Sequence, residues 1–316
     1  MQSLHKDFFY GGIFMFVTLN DGSKMEFDRG TTVAKVAEAI SEGLFRNAVC
    51  GKVDGKLVDL SYSIDHDCAV EIVTLKDKEG LDVYRHTCAH VLAQAVKSIF
   101  PTCRLAIGPV IENGFYYDFD FTTPVTQTDL AKIEEEMKKI IKSDLPIERF
   151  ELSRKEAVKL FKGFKENYKI ELIEDIPDDQ PISCYKQGAF VDLCRGPHLP
   201  STGKIKAFKL TSITGAYWRG NENNKMLTRI YGTAFPKKAE LDDYLVALEE
   251  AKKRDHNKLG RELGLFMTEE TIGQGLPILM PKGAKIFQIL SRFVEDEEER
   301  RGFMLTKTPY MAKSDI

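Results

Sequence analysis

Arg85-His86-Thr87-Cys88-Ala89-His90-Val91-Leu92-Ala93-Gln94-Ala95-Val96 is the stretch on which the fold turns. Val91, Leu92, Ala95, Val96 and Ile99 recur at helical spacing, which predicts a helix over about 83–100 with Pro101 as its stop. His86 and His90 are four residues apart, so both rings project from one face of that helix. Far downstream, Cys194-Arg195-Gly196-Pro197-His198 places a thiol and an imidazole four apart in a turn. If the helix and the turn meet, four N and S groups surround one point. That is a tetrahedral Zn²⁺ set or, without metal, a water-activating cluster. Each pair alone is ordinary: HxxxH recurs by chance on helices, and a buried cysteine usually packs as a small hydrophobe. The remaining histidines, His5, His66 and His256, read as surface or core residues.

Upstream of this helix lies a short unit. Phe14 to Leu19 runs into the turn Asn20-Asp21-Gly22-Ser23 and on to Lys24-Met25-Glu26-Phe27, a hairpin. Val33, Val36, Ala37, Ile40 and Leu44 lay an apolar stripe along a helix, and strands follow at 48–53, 56–58 and 69–75. Strand-strand-helix-strand-strand over about 60 residues is a ubiquitin-like β-grasp pattern, which names no function by itself. The apolar run Phe8 to Val17 follows Lys6, but it lacks a cleavage site and is far short of the roughly 20 residues that span a bilayer. Met15 reads as a candidate start, with 1–13 as an extension.

Downstream, strands at 103–107 and 115–121 precede two amphipathic helices. The second opens at Ser153 with Glu156 three residues on, a capping box. Shorter strands near 147–152, 169–173, 189–193, 206–210 and 227–232 complete an α+β unit ending near Pro236. A charged helix over 237–262 reads as a linker, followed by a helix at 282–299 and a strand at 303–307. Neither has a partner before the sequence ends at Ile316, as expected of a domain cut short.

At 316 residues, with 43% apolar and 29% charged positions, the chain is a folded protein of two or three domains, neither disordered nor low in complexity. Lys plus Arg is 45 and Asp plus Glu 48, so a global cationic attraction to nucleic acid is excluded, though a local basic face is not. Lys204, Lys206, Lys209, Arg219, Lys225 and Arg229 are candidates for such a face, and the single Trp218 reads as core. Six unclustered cysteines do not form a secreted disulfide framework, which points to a reducing cytoplasm.

Arg85 to Ala95, Ile107-Gly108-Pro109-Val110-Ile111-Glu112-Asn113-Gly114-Phe115-Tyr116-Tyr117-Asp118, Val191 to His198 and Gly215-Ala216-Tyr217-Trp218-Arg219-Gly220 together resemble the threonyl-tRNA synthetases in order and spacing. HxxxH with CxxxH is also shared by alanyl-tRNA synthetases and free-standing deacylases. The resemblance implies an α+β multidomain protein: a β-grasp TGS domain at 14–76, an editing domain at 77–236, the linker at 237–262 and the start of a class II catalytic core at 263–316. The helix at 282–299 and the strand before Pro309 would be motif 1, which contributes to a homodimer interface.

The same resemblance assigns His86, His90, Cys194 and His198 to an editing pocket that hydrolyses Ser-tRNA(Thr). Lys169 would activate water or stabilise an oxyanion, Asp192 would bind the substrate's hydroxyl or amine, and Tyr117 would shape the pocket. Zn at the four ligands is one reading, although threonyl editing sites can also work with ordered water. ATP with Mg²⁺, the zinc that holds threonine and the anticodon-binding domain belong to the full-length enzyme, so the expectation is that this chain alone does not activate threonine. The expected partner is the acceptor end of tRNA(Thr), with no membrane association. Two other readings stay open: a non-catalytic tRNA-binding module and an alanyl-type trans-editing deacylase.

Overall fold

The computed structural model describes residues 14–273 and 275–311, so the expected extension at 1–13 lies outside the described residues. By its internal packing the chain divides into two units, 1–242 and 243–316.

The first unit begins with the β-grasp. Strands β1 (Phe14–Thr18) and β2 (Lys24–Asp28) form the hairpin, and β3 (Thr31–Thr32) leads into helix α1 (Val33–Ile40). The expected helix breaks at Ser41, whose side chain accepts the backbone N–H of Leu44 and caps α2 (Glu42–Asn47). The local hydrogen bond competes with helix continuation, so Ile40 ends exposed rather than on the apolar stripe. Strands β4 (Ala48–Val53), β5 (Lys56–Val58), β6 (Ser63–Ile64) and β7 (Cys68–Thr74) follow. The sheet order is β2-β1-β7-β4-β5, with β1 and β7 parallel, and β3 pairs with β6. Met15, Val17, Val33, Val36, Ala37 and Ile64 fill its core.

Helix α3 (Lys78–Ile99) starts four residues after β7. Its residues Tyr84, Cys88, Val91, Leu92, Ala95 and Val96 share one core with Val49, Cys50 and Val73 of the β-grasp and with Phe115, Phe119 and Ile230 beyond it. The β-grasp and the expected editing region are therefore packed into a single unit. That second region holds a sheet of β8 (Arg104–Leu105), β9 (Val110–Ile111), β10 (Gly114–Asp120), β14 (Ala207–Tyr217) and β15 (Met226–Phe235), ordered β14-β15-β10-β8 with β9 on β10. Helix α4 (Asp129–Lys142) buries Leu130, Ile133, Met137 and Ile140 against this core.

A smaller sheet of β11 (Ile147–Leu152), β12 (Ile182–Gln187) and β13 (Phe190–Leu193) packs with α5 (Arg154–Gly163) and α6 (Asn167–Glu174). Ser153 and Glu156 form both bonds of the predicted capping box on α5. The segment 169–173, expected as a strand, is helix α6. Its Ile170, Leu172 and Ile173 suit either state locally, but burial of Tyr168, Lys169 and Ile173 on one helical face decides it.

The predicted linker over 237–262 is two helices, α7 (Lys238–Lys253) and α8 (His256–Glu262), because Asp255 takes the Lys258 N–H and starts a new helix. In the second unit β16 (Phe266–Met267) pairs with β17 (Ile278–Leu279), ahead of α9 (Pro281–Arg300). Among the described residues 303–307 form no strand; a strand needs a paired edge, and none is offered there. The apolar residues Ile286, Phe287, Ile289, Leu290, Phe293 and Val294 of α9 are exposed.

Gly80 shows how tightly the two parts are joined. A Cβ there would lie 1.9 Å from the Thr74 carbonyl oxygen, so the first turn of α3 needs a hydrogen at this point. Gly80→Ala is expected to destabilise the protein by about 1–3 kcal/mol through overpacking, although helix propensity alone would favour alanine by about 1 kcal/mol. Urea unfolding reads the sign, and a stabilised variant would refute the close approach.

Candidate active site

Helix α3 carries His86 and His90 on its inward face, and the turn after β13 carries Cys194 and His198. The four ligand-capable atoms lie within 4.8 Å of one another. His86 Nε2 is 2.9 Å from the Cys194 Sγ, and His198 Nε2 is 3.3 Å from the same sulfur. The ring centroids are 4.9 Å apart for His86 and His90, 4.6 Å for His86 and His198 and 4.4 Å for His90 and His198. His90 and His198 are buried, while His86 and Cys194 are half-buried.

Hydrogen bonds around the rings fix their protons. Thr87 Oγ1 donates its single proton to the Val83 carbonyl at 2.8 Å, so at 3.3 Å it accepts from His198 Nδ1–H. His90 Nδ1 faces Asp192 Oδ2 at 3.4 Å, and the Gly108 carbonyl accepts from the His86 ring. Nε2 of His86 and of His198 is left as a lone pair. The Cys194 thiol can donate to only one of the two lone pairs that touch it, while the Gly196 N–H donates to the sulfur at 3.2 Å. Lone pairs converging without enough protons are what a cation would satisfy, so these residues fit a metal. Carboxylate, hydroxyl and carbonyl partners on the other ring nitrogens are the orienting groups such a site uses.

Burial sets the titration. It depresses His86 to about 4 and holds His90 and His198 well below the usual imidazole range, with neighbouring imidazoles adding to the effect. Burial also pushes the Cys194 thiol up to about 12. At neutral pH the pocket offers neutral imidazoles and an un-ionised thiol.

Asp192, on β13, is 1% exposed, Lys169 on α6 is 3% and Tyr117 on β10 is 1%. Lys169 Nζ donates to Asp192 Oδ1 at 2.6 Å and to the Tyr117 hydroxyl at 2.9 Å, and that hydroxyl donates to Asp192 Oδ2 at 2.7 Å. Burial first, then the Asp192 charge, raises the Tyr117 phenol well above its ordinary range. Asp192 Oδ1 also takes the Leu193 N–H at 2.8 Å. A Cβ on Gly108 would come 2.2 Å from the Tyr117 ring, so that glycine lets the backbone lie against the phenol.

All seven residues singled out in the sequence therefore meet in one place. Thr87, Gly108, Gln187 and Asp59 were not singled out. Gln187 donates to the His90 carbonyl at 3.3 Å, and Asp59 reaches in from the β-grasp. Only Thr87, next to His86 on the site helix, carried any local signal. Most of the candidate basic face is engaged internally. Arg229 forks onto Asp118, Lys225 pairs with Asp120, Lys209 with Glu134 and Arg219 with Asp175. Trp218 is buried against Tyr168 and donates to Glu171 at 2.9 Å. Among the described residues no helix is long and apolar enough to cross a membrane.

Two family models match this architecture: the TGS domain over residues 15–74, and the threonyl and alanyl tRNA synthetase second additional domain over 182–231. The chain thus matches a TGS domain followed by a domain of the threonyl and alanyl tRNA synthetase type. The particular synthetase it resembles is threonine–tRNA ligase. It is 60% identical over 300 residues to that enzyme of Clostridium perfringens, 61% to that of Clostridium botulinum and 55% to that of Acetivibrio thermocellus. Each match covers 95% of this chain and 46–47% of the relative, so the chain spans about half the length of the curated relatives it matches.

The buried ion pair makes a stability prediction. Removing one partner of a dry pair leaves an uncompensated charge, so Lys169→Met is expected to cost about 3–5 kcal/mol. Lys169→Met combined with Asp192→Leu is expected to cost less than the two single changes summed. Denaturant unfolding of the four proteins gives the coupling; an additive double variant would refute a direct interaction.

Proposed function

We propose that this chain carries the hydrolytic editing function of a threonine–tRNA ligase, cleaving serine from mischarged tRNA(Thr). The observation that carries it is the meeting of His86, His90, Cys194 and His198 beside a dry Lys169–Asp192–Tyr117 cluster. Serine lacks one methyl group of threonine, worth only about 1–3 kcal/mol of discrimination in a pocket. A second site that admits the smaller residue and hydrolyses its ester supplies the rest.

The reaction is attack of water on the ester carbonyl, with the terminal ribose hydroxyl leaving. A neutral imidazole Nε2 takes the water proton and returns it to the departing ribose oxygen. The Lys169 ammonium, which keeps one N–H beyond those given to Asp192 and Tyr117, stabilises the oxyanion as it forms, and the Tyr117 hydroxyl, its single proton on Asp192, positions that ammonium. Asp192 already accepts from Lys169, Tyr117 and the Leu193 N–H, so its role is to hold those two side chains in place rather than to bind the substrate amine. The un-ionised Cys194 favours water over the thiol as nucleophile.

Zn²⁺ is the metal this donor set would take, held by His86, His90, Cys194 and His198. When bound it would supply Lewis-acid polarisation of water or carbonyl. The chain's own base, cation and carboxylate cover each step of the hydrolysis.

In the whole protein we propose the following. Residues 14–76 form the TGS domain, 77–236 the editing domain and 237–262 the linker, and residues 263–316 open a class II core. That core charges tRNA(Thr) with threonine using ATP, Mg²⁺ and a catalytic zinc, and α9 contributes its apolar residues to a homodimer. The setting is the cytoplasm and the partner is the tRNA acceptor end.

Incubated with Ser-tRNA(Thr), the chain is expected to release serine over multiple turnovers and to spare Thr-tRNA(Thr). His90→Ala is expected to lower kcat by about 10²–10⁴-fold. Binding without turnover would instead support a tRNA-binding module, and preference for Ser-tRNA(Ala) would support an alanyl-type deacylase. Hydrolysis is expected to survive zinc removal, checked by metal analysis of the assayed protein. Loss on removal with recovery on adding Zn²⁺ would make the metal obligatory.

A further inference from the structure

The turn that supplies Cys194 and His198 is held from the β-grasp. Asp59 follows β5, and its Oδ1 accepts the backbone N–H of His198 at 2.8 Å. Its Oδ2 accepts the Tyr185 hydroxyl at 2.6 Å. The Tyr185 ring stands edge-on to the His198 ring, with centroids 4.4 Å apart. Its hydroxyl fills the space a side chain on Gly196 would need, 1.7 Å from an ideal Cβ. The Asp59 loop is itself fixed: the Asp59 carbonyl takes the Tyr62 N–H, and the next residue, Leu60, is buried and accepts the Ala34 N–H. On the opposite side Thr87 Oγ1 accepts from the His198 ring and from the Leu199 N–H.

We infer that Asp59 is a positioning residue for the editing site: the β-grasp sets the His198 backbone while α3 sets its ring. The inference rests on the hydrolase reading above. A turn with few ladder hydrogen bonds holds a catalytic group only as well as its outside anchors do. Asp59 supplies one such anchor to the backbone and, through Tyr185, a second to the ring face. The β-grasp is then part of the editing apparatus and not only a separate recognition module.

The full chain with Asp59→Ala is expected to lose kcat for Ser-tRNA(Thr) by about tenfold or more at unchanged KM, since misplacement by a fraction of an ångström acts on the chemical step. Asp59→Asn keeps an oxygen acceptor for the His198 N–H and is expected to recover most of the rate. The His198 amide resonance, read by ¹⁵N-edited NMR, is expected to move upfield in Asp59→Ala and to stay in place in Asp59→Asn. A wild-type rate in Asp59→Ala, or a loss in Asp59→Asn with the amide shift unmoved, would overturn the role. If Asp59→Ala does not fold, Asp59→Asn and the wild-type amide shift decide it. An inert wild-type protein would instead fail the hydrolase reading, and the amide shift would still report whether the bond exists.

Discussion

A carboxylate taken out of water must be surrounded by donors, and Asp192 is surrounded from three separate elements besides its own strand. Strand β10 brings Tyr117 and helix α6 brings Lys169 as donors, the neighbouring Leu193 N–H closes the shell, and helix α3 sets the His90 ring beside it, Nδ1 3.4 Å from Oδ2. Burying such a charge without partners costs several kcal/mol, so any packing that separates these elements leaves an uncompensated ion. The requirement fixes where α6 sits relative to the sheet, with the His90 ring of α3 packed beside the carboxylate. Tyr117 is drawn in twice, donating to the carboxylate and accepting from the ammonium.

The consequence of that dryness is chemical. In water an imidazole divides its time between protonated and neutral forms near neutral pH. In this pocket burial keeps three of them neutral together, with the His198 Nδ1 proton committed to Thr87 and the His86 ring proton to the Gly108 carbonyl. A fixed positive charge, the Lys169 ammonium, stands beside the carboxylate that anchors it. Bases and cation thus stand apart, as ester hydrolysis by water needs: one group takes a proton while another meets the developing oxyanion.

Much of this was legible in the chain. HxxxH on a helix and CxxxH in a turn announced the four donors, because four-residue spacing fixes a common face without any knowledge of the fold. The β-grasp was legible from its hairpin turn and apolar stripe, and the Ser153–Glu156 capping box formed as read. Where the reading failed, longer-range forces decided. Residues 169–173 have strand-like composition, but the burial of Lys169 toward Asp192 requires a helical face. The break at Ser41 and the second start at Asp255 are contests between a side-chain cap and helix continuation, and the two outcomes differ by about 1 kcal/mol or less. Asp59 was invisible for another reason. An aspartate at the end of an edge strand looks like any turn residue until its distant partners are known.

The segment from Cys194 to His198 carries the thiol and an imidazole of the cluster but no regular ladder of its own. Its register comes from single bonds: the Cys194 N–H to the Ser183 carbonyl, the Cys194 carbonyl to the Ser183 hydroxyl, the Gly196 N–H to the thiol, the His198 N–H to Asp59 and the Leu199 N–H to Thr87. Ordering each residue of such a turn costs about 1–2 kcal/mol of backbone entropy, and a single hydrogen bond returns about as much. Removing any one anchor therefore leaves the turn only marginally ordered, even if the surrounding core is intact. The anchors come from β12, from the β-grasp loop and from α3, so the turn is set only when those parts are docked. That explains why the β-grasp strands and α3 share one hydrophobic core rather than meeting through a flexible linker. A loosely tethered β-grasp could bury the same apolar area on its own, but it could not hold His198 to within a few tenths of an ångström.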